Sequence, residues 1–270
     1  MWLRRAGGWL GLALAAALLA ACGTTAATPA PVYLRVAGSS SLQPALVELA
    51  AAYRERFPHV TIDIQTGDTG SGLQALQAGA ADLAAASWKD TTAAGDETLT
   101  WHGIGRDAVV LVVHPANTLT DLSLVRARDV FAGWYTSWSE VGGKGAEIQP
   151  VSREDGSGTR AAFEAGVMGL RDVTQTALVM PSSAAVVQWV STHPNAIGYV
   201  SMAYITAALR ALRLEGQEPT AKNVEAGVYP LTRTLYLVTR APTERPAQDF
   251  VNFCLSPAGQ AILARHYARK

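Results

Sequence analysis

The chain has 270 residues, enough for one large domain or two lobes with their own cores, and 49% of them are hydrophobic, as in a folded globular protein. The formal charge at pH 7 is zero, from 22 basic and 22 acidic residues, so no basic excess exists to neutralise a run of phosphates, and nucleic acid is excluded as a partner. Two cysteines supply neither a disulfide framework nor a metal site.

Residues 1–21 read as an export signal. Arg4 and Arg5 form a positive start, and an apolar stretch over 9–21 ends in small residues. That stretch is too short to favour a membrane-spanning helix, which needs about 20 apolar residues. Leu19-Ala20-Ala21-Cys22-Gly23 resembles the lipobox of bacterial lipoproteins, which implies that Cys22 becomes a lipid-bearing N-terminus. Two or more acyl chains there give stable anchoring, which one does not. Taking Arg4 and Arg5 from the 22 basic residues leaves 20 against 22 acidic ones, so any bound anion must be held by local geometry. Residues 22–31, small and proline-punctuated, read as a lipidated tether.

Past the tether, 32–37 alternates as a strand, 38–44 is a turn with helix-capping residues, and 45–57 has helical periodicity. A strand follows at 60–65. A Gly-rich turn at 67–72 opens a helix over 73–78, and a short apolar strand at 82–86 runs into Ser87 and Trp88. Strands alternating with helices predict a mostly parallel α/β sheet. The continuous apolar run at 108–114 predicts a strand covered on both faces. Beyond it the pattern predicts a helix at 122–131, a strand at 149–152, helices at 156–166 and 184–192, strands at 196–200 and 231–239, and a closing helix over 246–266. Cys254 is expected there as a buried helical thiol.

Three strand-to-helix turns share one chemistry: Gly38 to Ser41, Thr69 to Gly72, and Asp155 to Thr159. Each places Gly with Ser or Thr where a helix begins. Free N–H groups and the positive end of the helix dipole favour anions there, and glycine lets the backbone come close. All three stand at the C-terminal ends of predicted strands, where open α/β sheets bind ligands. The third adds Arg153, whose planar fork suits a tetrahedral oxyanion, and Asp155 is expected to hold that guanidinium in place.

With these landmarks the chain resembles the phosphate-binding component of bacterial ATP-driven phosphate importers, from Leu34 to about Tyr267. The likeness rests on GSSSLQP (38–44), Gly70-Ser71-Gly72, Ala86-Ser87, Phe131-Ala132-Gly133, WSEVGG (138–143), Arg153 to Arg160 with Phe163 and Glu164, AIGY (196–199), YPL (229–231) and Leu255-Ser256. The resemblance implies a two-lobed fold of the type II periplasmic-binding-protein kind, with mixed, mostly parallel sheets, helices on both faces and the ligand cleft between lobes. The expected lobes are 32–114 plus 228–270, and 115–227. Carried over by position, it implies that Ser40, Ser41, Thr69, Ser71, Ser87, Arg153, Ser157, Gly158 and Thr159 bind the anion, with Asp155 behind them. The expected partners are inorganic phosphate or a related oxyanion, an ABC importer permease and, through lipid on Cys22, a membrane. No cofactor or metal and no enzymatic activity are expected. The protein is expected to be a monomer in the cell envelope, anchored to the outer face of the plasma membrane or within the periplasm.

One departure concerns the anion. Phosphate binders of this kind often carry an aspartate after the Ala-Ser step that accepts the ligand's proton, and here Trp88 follows Ser87. Such a carboxylate rejects unprotonated anions, so without it sulfate, molybdate and tungstate stay open as alternative cargo. Among enzymes, Asp68-Thr69-Gly70 matches the core triplet of aspartic proteases, but that chemistry needs two carboxylates sharing a proton, and no second such triplet exists. Five scattered histidines and no Gly-x-Ser-x-Gly elbow argue against a serine hydrolase.

Overall fold

The computed structural model describes residues 30–89 and 97–269; the leader and Cys22 lie outside them. Eleven strands are described: β1 (Val32–Ser39), β2 (Val60–Gly67), β3 (Leu83–Ala86), β4 (Leu99–Val113), β5 (Asp121–Leu122), β6 (Gln149–Arg153), β7 (Leu178–Met180), β8 (Ala196–Ser201), β9 (Arg210–Ala211), β10 (Arg213–Leu214) and β11 (Thr232–Arg240). The helices are α1 (Gln43–Arg56), α2 (Thr69–Gln77), α3 (Leu124–Phe131), α4 (Gly158–Phe163), α5 (Ser183–Thr192), α6 (Ala221–Glu225), α7 (Arg245–Leu255) and α8 (Pro257–Leu263).

Most strands form one curled mixed sheet in the order β2-β1-β3-β11-β4-β8-β6-β7, with β9 also paired to β4. Its two ends are parallel, β2-β1-β3 and β8-β6-β7, as expected for strands linked through helices. The middle is antiparallel, because β11 returns between β3 and β4, and β4 pairs antiparallel with β8. The sequence predicted only the apolar half of β4. The strand begins nine residues earlier, at Leu99, and runs through His102 and Arg106; this polar half pairs with β11 across a bulge at Leu235/Tyr236.

Among the described residues two large hydrophobic cores share this sheet, beside a small third one of Leu76, Ala84, Ala86 and Val238. One gathers Leu34, Leu46, Leu49, Phe250 and Tyr267, so the C-terminal helices pack with β1 and α1. The other gathers Val110, Val112, Phe131, Phe163 and Tyr199, with the Phe163 and Tyr199 rings stacked at 4.1 Å. Cys254 lies on α7 within the first core, where burial pushes its thiol pKa up.

Local rules explain most element boundaries. Pro44 sits in the first turn of α1, where its missing N–H costs nothing, and Arg54 and Arg56 complement the dipole at its other end. The closing helix predicted over 246–266 is two helices, because Pro257 bars its predecessor from helical geometry. Ser256 therefore ends α7 in extended conformation and caps α8 by accepting from the Gly259 N–H. The stretch predicted as a helix over 156–166 is α4 followed by a π-helical turn at Glu164–Met168.

Candidate functional site

The three Gly-Ser turns meet at one place. The first follows β1: Ser40–Leu42 form a single 3-10 turn before α1, and Ser39, Ser40 and Ser41 are all buried. Tyr204 donates to the Ser40 carbonyl at 2.7 Å and Tyr267 to the Ser41 carbonyl at 2.6 Å, fixing this backbone. Burial pushes the Tyr204 hydroxyl pKa up to about 12, so it stays a donor at any physiological pH.

The second turn opens α2. Asp68 caps the helix by accepting from the Ser71 N–H at 2.8 Å, and the Ser71 hydroxyl accepts from the Asp68 N–H at 3.2 Å. Ser71 is exposed and spent on this capping box, so its side chain is not brought to the cluster. Thr69 is buried, and its Oγ1 accepts from the Ser87 N–H at 3.1 Å.

The third turn follows β6. Gly156 has φ +84°, Ser157 caps α4, and Gly158 passes so close to the second turn that an added Cβ would lie 2.5 Å from both Ser87 Oγ and Thr69 Oγ1. The Gly70 N–H donates to the Gly156 carbonyl at 3.1 Å, joining the two turns through backbone. Thr159 Oγ1 lies 2.8 Å from Ser41 Oγ, and Ser39 Oγ lies 2.8 Å from Ser87 Oγ. Hydroxyls from all three turns, with Ser87 after β3, thus form one buried group.

Two guanidinium groups serve this cluster. Arg153, 1% exposed, donates through Nε and Nη2 to Glu154 at 2.8 and 2.7 Å, through Nε to the Met180 carbonyl, and through Nη1 to Ser183 Oγ at 3.4 Å. The partner expected for Arg153 was Asp155, and this is corrected: Glu154 holds the guanidinium. Asp155 has a 96% exposed side chain and pairs with Arg160 at 2.6 Å, because the turn after β6 swings it outward. Ser183, at the start of α5, donates its N–H to Ser40 Oγ at 3.2 Å and ties this helix to the first turn.

The second guanidinium, Arg233, was not anticipated. It donates to Asp107 through Nε at 2.9 Å and Nη2 at 2.7 Å, to Ser41 Oγ at 2.8 Å, to Thr159 Oγ1 at 3.0 Å and to Ser87 Oγ at 3.2 Å. Both partners are fully buried and sit opposite each other on β11 and β4. Burial pushes the Asp107 carboxyl pKa up, opposed by Arg233 and by hydrogen bonds from Ser201 and the Met202 N–H. A signal was present in the sequence: Asp107 stands immediately before the apolar run of β4, and Arg233 is an inward position of an alternating strand.

Around this centre Trp88 is half-buried against the second core, and Lys89 is exposed with its Nζ 5.3 Å from the Trp101 ring. Among the described residues no group of three or more His, Cys, Asp and Glu is placed to hold a metal, and no helix is long and apolar enough to cross a membrane.

A buried cluster of hydroxyls, helix N-termini and two arginines where strands of a curled sheet meet helix starts defines a solute-binding protein. Residues 25–258 match the model of the PBP superfamily domain, and the chain belongs to that family. It is 30% identical over 229 residues to the phosphate-binding protein PstS of Bacillus subtilis, covering 83% of this chain and 75% of the relative. With the PstS of Pseudomonas aeruginosa the identity is 27% over 257 residues, covering 84% and 80%. Among solved structures it is similar to one from Clostridium perfringens described as a phosphate ABC transporter substrate-binding protein with bound phosphate (TM-score 0.83, 32% identity, 88% of this chain and 99% of that one). An ABC-type phosphate transport receptor from Vibrio cholerae gives a TM-score of 0.72 at 27% identity, covering 88% and 100%.

Proposed function

We propose that this protein captures inorganic phosphate outside the cytoplasm and delivers it to an ABC importer, without catalysis. The observation that carries the reading is one buried network, in which Arg233 donates to Ser41, Ser87 and Thr159, the Ser87 N–H donates to Thr69, and Arg153 reaches Ser40 through Ser183. Removing an oxyanion from water is costly unless each oxygen receives donors in return. Every serine or threonine hydroxyl is donor and acceptor, so groups that bond one another here can turn their protons onto an anion. The guanidinium groups add charge-assisted donors that are already neutralised by Glu154 and Asp107, which favours reversible binding.

In this reading Ser40, Ser41, Thr69, Ser87, Arg153, Ser157, Gly158 and Thr159 line the anion site, and Arg233 and Ser183 join them. The lobes are 32–114 plus 228–270, and 115–227, with the anion between. The relatives named for phosphate support that cargo. A second reading, another tetrahedral oxyanion, is favoured by Trp88 standing after Ser87, since the carboxylates beside the cluster, buried Asp107 and half-buried Glu154, are engaged by arginine. Titration of the mature protein with phosphate, arsenate, sulfate and molybdate separates the two. Phosphate bound at least about tenfold more tightly than sulfate supports the first reading, and preference for sulfate or molybdate overturns it. The protein is further proposed to act as a lipid-anchored monomer. Cys22→Ser is expected to release it from membranes, and retention in the membrane fraction would contradict the anchor.

A further inference from the structure

A cavity of about 440 Å3 opens beside the hydroxyl cluster and shares Thr69, Ser157 and Gly158 with it. Much of its remaining wall differs in chemistry from the anion site: Trp88, Trp101, Leu73 and Leu99 supply apolar surface, while Lys89 and Arg160 face the wall with Asp155 and Glu164, charges of both signs. The Trp101 ring is held edge-on by Tyr236 at 5.4 Å, and Trp88 packs on the second core, so the aromatic surfaces are set before any ligand arrives. An inorganic oxyanion has no carbon to place against two indoles and two leucines. The volume falls within the range of small-molecule sites, roughly 300–1,000 Å3.

We propose that this cavity receives the organic substituent of a phosphate monoester whose phosphoryl oxygens occupy the site described above, so that the ligand range extends to small aromatic or apolar organophosphates. The proposal rests on the oxyanion reading of that site. Three phosphoryl oxygens remain available to the hydroxyls and arginines in a monoester, and the ester oxygen directs the substituent past Gly158, one of the three residues shared by both compartments.

The test is calorimetric titration of the full mature protein with inorganic phosphate, methyl phosphate and phenyl phosphate, and competition of each ester against phosphate. Phenyl phosphate is expected to compete with phosphate and to bind at least about tenfold more tightly than methyl phosphate, through burial of its ring. Trp101→Leu and, at an exposed position where folding is not at risk, Lys89→Ala are the variants. Trp101→Leu is expected to weaken phenyl phosphate about fivefold or more and to leave inorganic phosphate within about twofold. If phosphate binds and phenyl phosphate fails to compete, or if Trp101→Leu and Lys89→Ala leave both esters unchanged, the cavity proposal falls and the phosphate reading stands. If phenyl phosphate binds and phosphate does not, the cavity proposal stands and the phosphate reading falls. Binding of neither overturns both.

Discussion

Ser41 Oγ and Thr159 Oγ1 lie 2.8 Å apart although the residues are 118 positions apart in the chain, and one guanidinium, that of Arg233, donates to both. The contact joins the turn after β1 to the turn after β6, two elements that pack in different cores. Residues from both halves of the sheet are therefore needed to make the proposed anion site. That interdependence governs how substitutions will act.

The Arg233–Asp107 pair is buried on both sides, so removing one partner strands the other. Asp107→Ala is expected to lower unfolding free energy by about 3–5 kcal/mol in denaturant titration. Replacing both, as Asp107→Leu with Arg233→Met, is expected to restore most of that stability, because well-packed apolar groups often substitute for a buried ion pair. The double variant should still lose phosphate affinity, since Ser41, Ser87 and Thr159 lose their shared donor. A double variant that binds as tightly as wild type would remove Arg233 from the site.

Arg153 and Asp155 should separate cleanly. Arg153→Ala is expected to weaken phosphate binding by at least ~2 kcal/mol, because a buried anion loses a charge-assisted fork. Asp155→Ala is expected to change it by less than about 0.5 kcal/mol, since its side chain is exposed and its partner is Arg160. An equal loss in both variants would mean that Asp155, not Glu154, orients Arg153.

Gly158 is tested by a single methyl group. A Cβ there would press on Ser87 Oγ and Thr69 Oγ1, both at 2.5 Å, so one turn must move. Gly158→Ala is expected to weaken phosphate binding about tenfold or more, whereas Gly145→Ala, with nothing within 4 Å of its added methyl, is expected to leave affinity unchanged. Titration calorimetry on the two variants makes the comparison.

The Arg35–Asp82 pair predicts a pH effect on stability. Hydrogen bonds from the Arg35 guanidinium hold the Asp82 carboxyl below its ordinary range, at 2.7 Å. A carboxylate with a depressed folded-state pKa stabilises the fold above its unfolded pKa, and that contribution is lost as pH falls through the folded value. Asp82→Asn is therefore expected to lower the melting temperature near neutrality, with the gap to wild type closing as the pH drops below the ordinary carboxylate range. A gap that stays constant with pH would assign the effect to packing.

The parts of this site legible in the sequence were those set by local chemistry. Gly38, Gly156 and the Ser or Thr residues beside them announce turns, and Ser123, Ser157 and Ser182 cap helices where short-range rules place a cap. Asp68 and Ser71 show the limit of such reading. Their capping box is itself a local rule, yet it competed with the ligand role assigned to Ser71 by position. What remained hidden depends on distant pairing. The polar half of β4 looked unlike a strand because His102, Arg106 and Asp107 break its pattern, and only β11 beside it explains them. Arg233 meets Asp107 across that pairing, and Ser183 meets Ser40 from a helix 143 residues away, so neither could be placed without the sheet order.

The three turns and two arginines are proposed to make one oxyanion site, and calorimetric titration of the mature protein with inorganic phosphate decides it. One phosphate per chain is predicted, with a dissociation constant of about 1 μM or tighter, a binding free energy of roughly 8 kcal/mol. Absence of saturable binding below about 1 mM would mean that this cluster is not an oxyanion site.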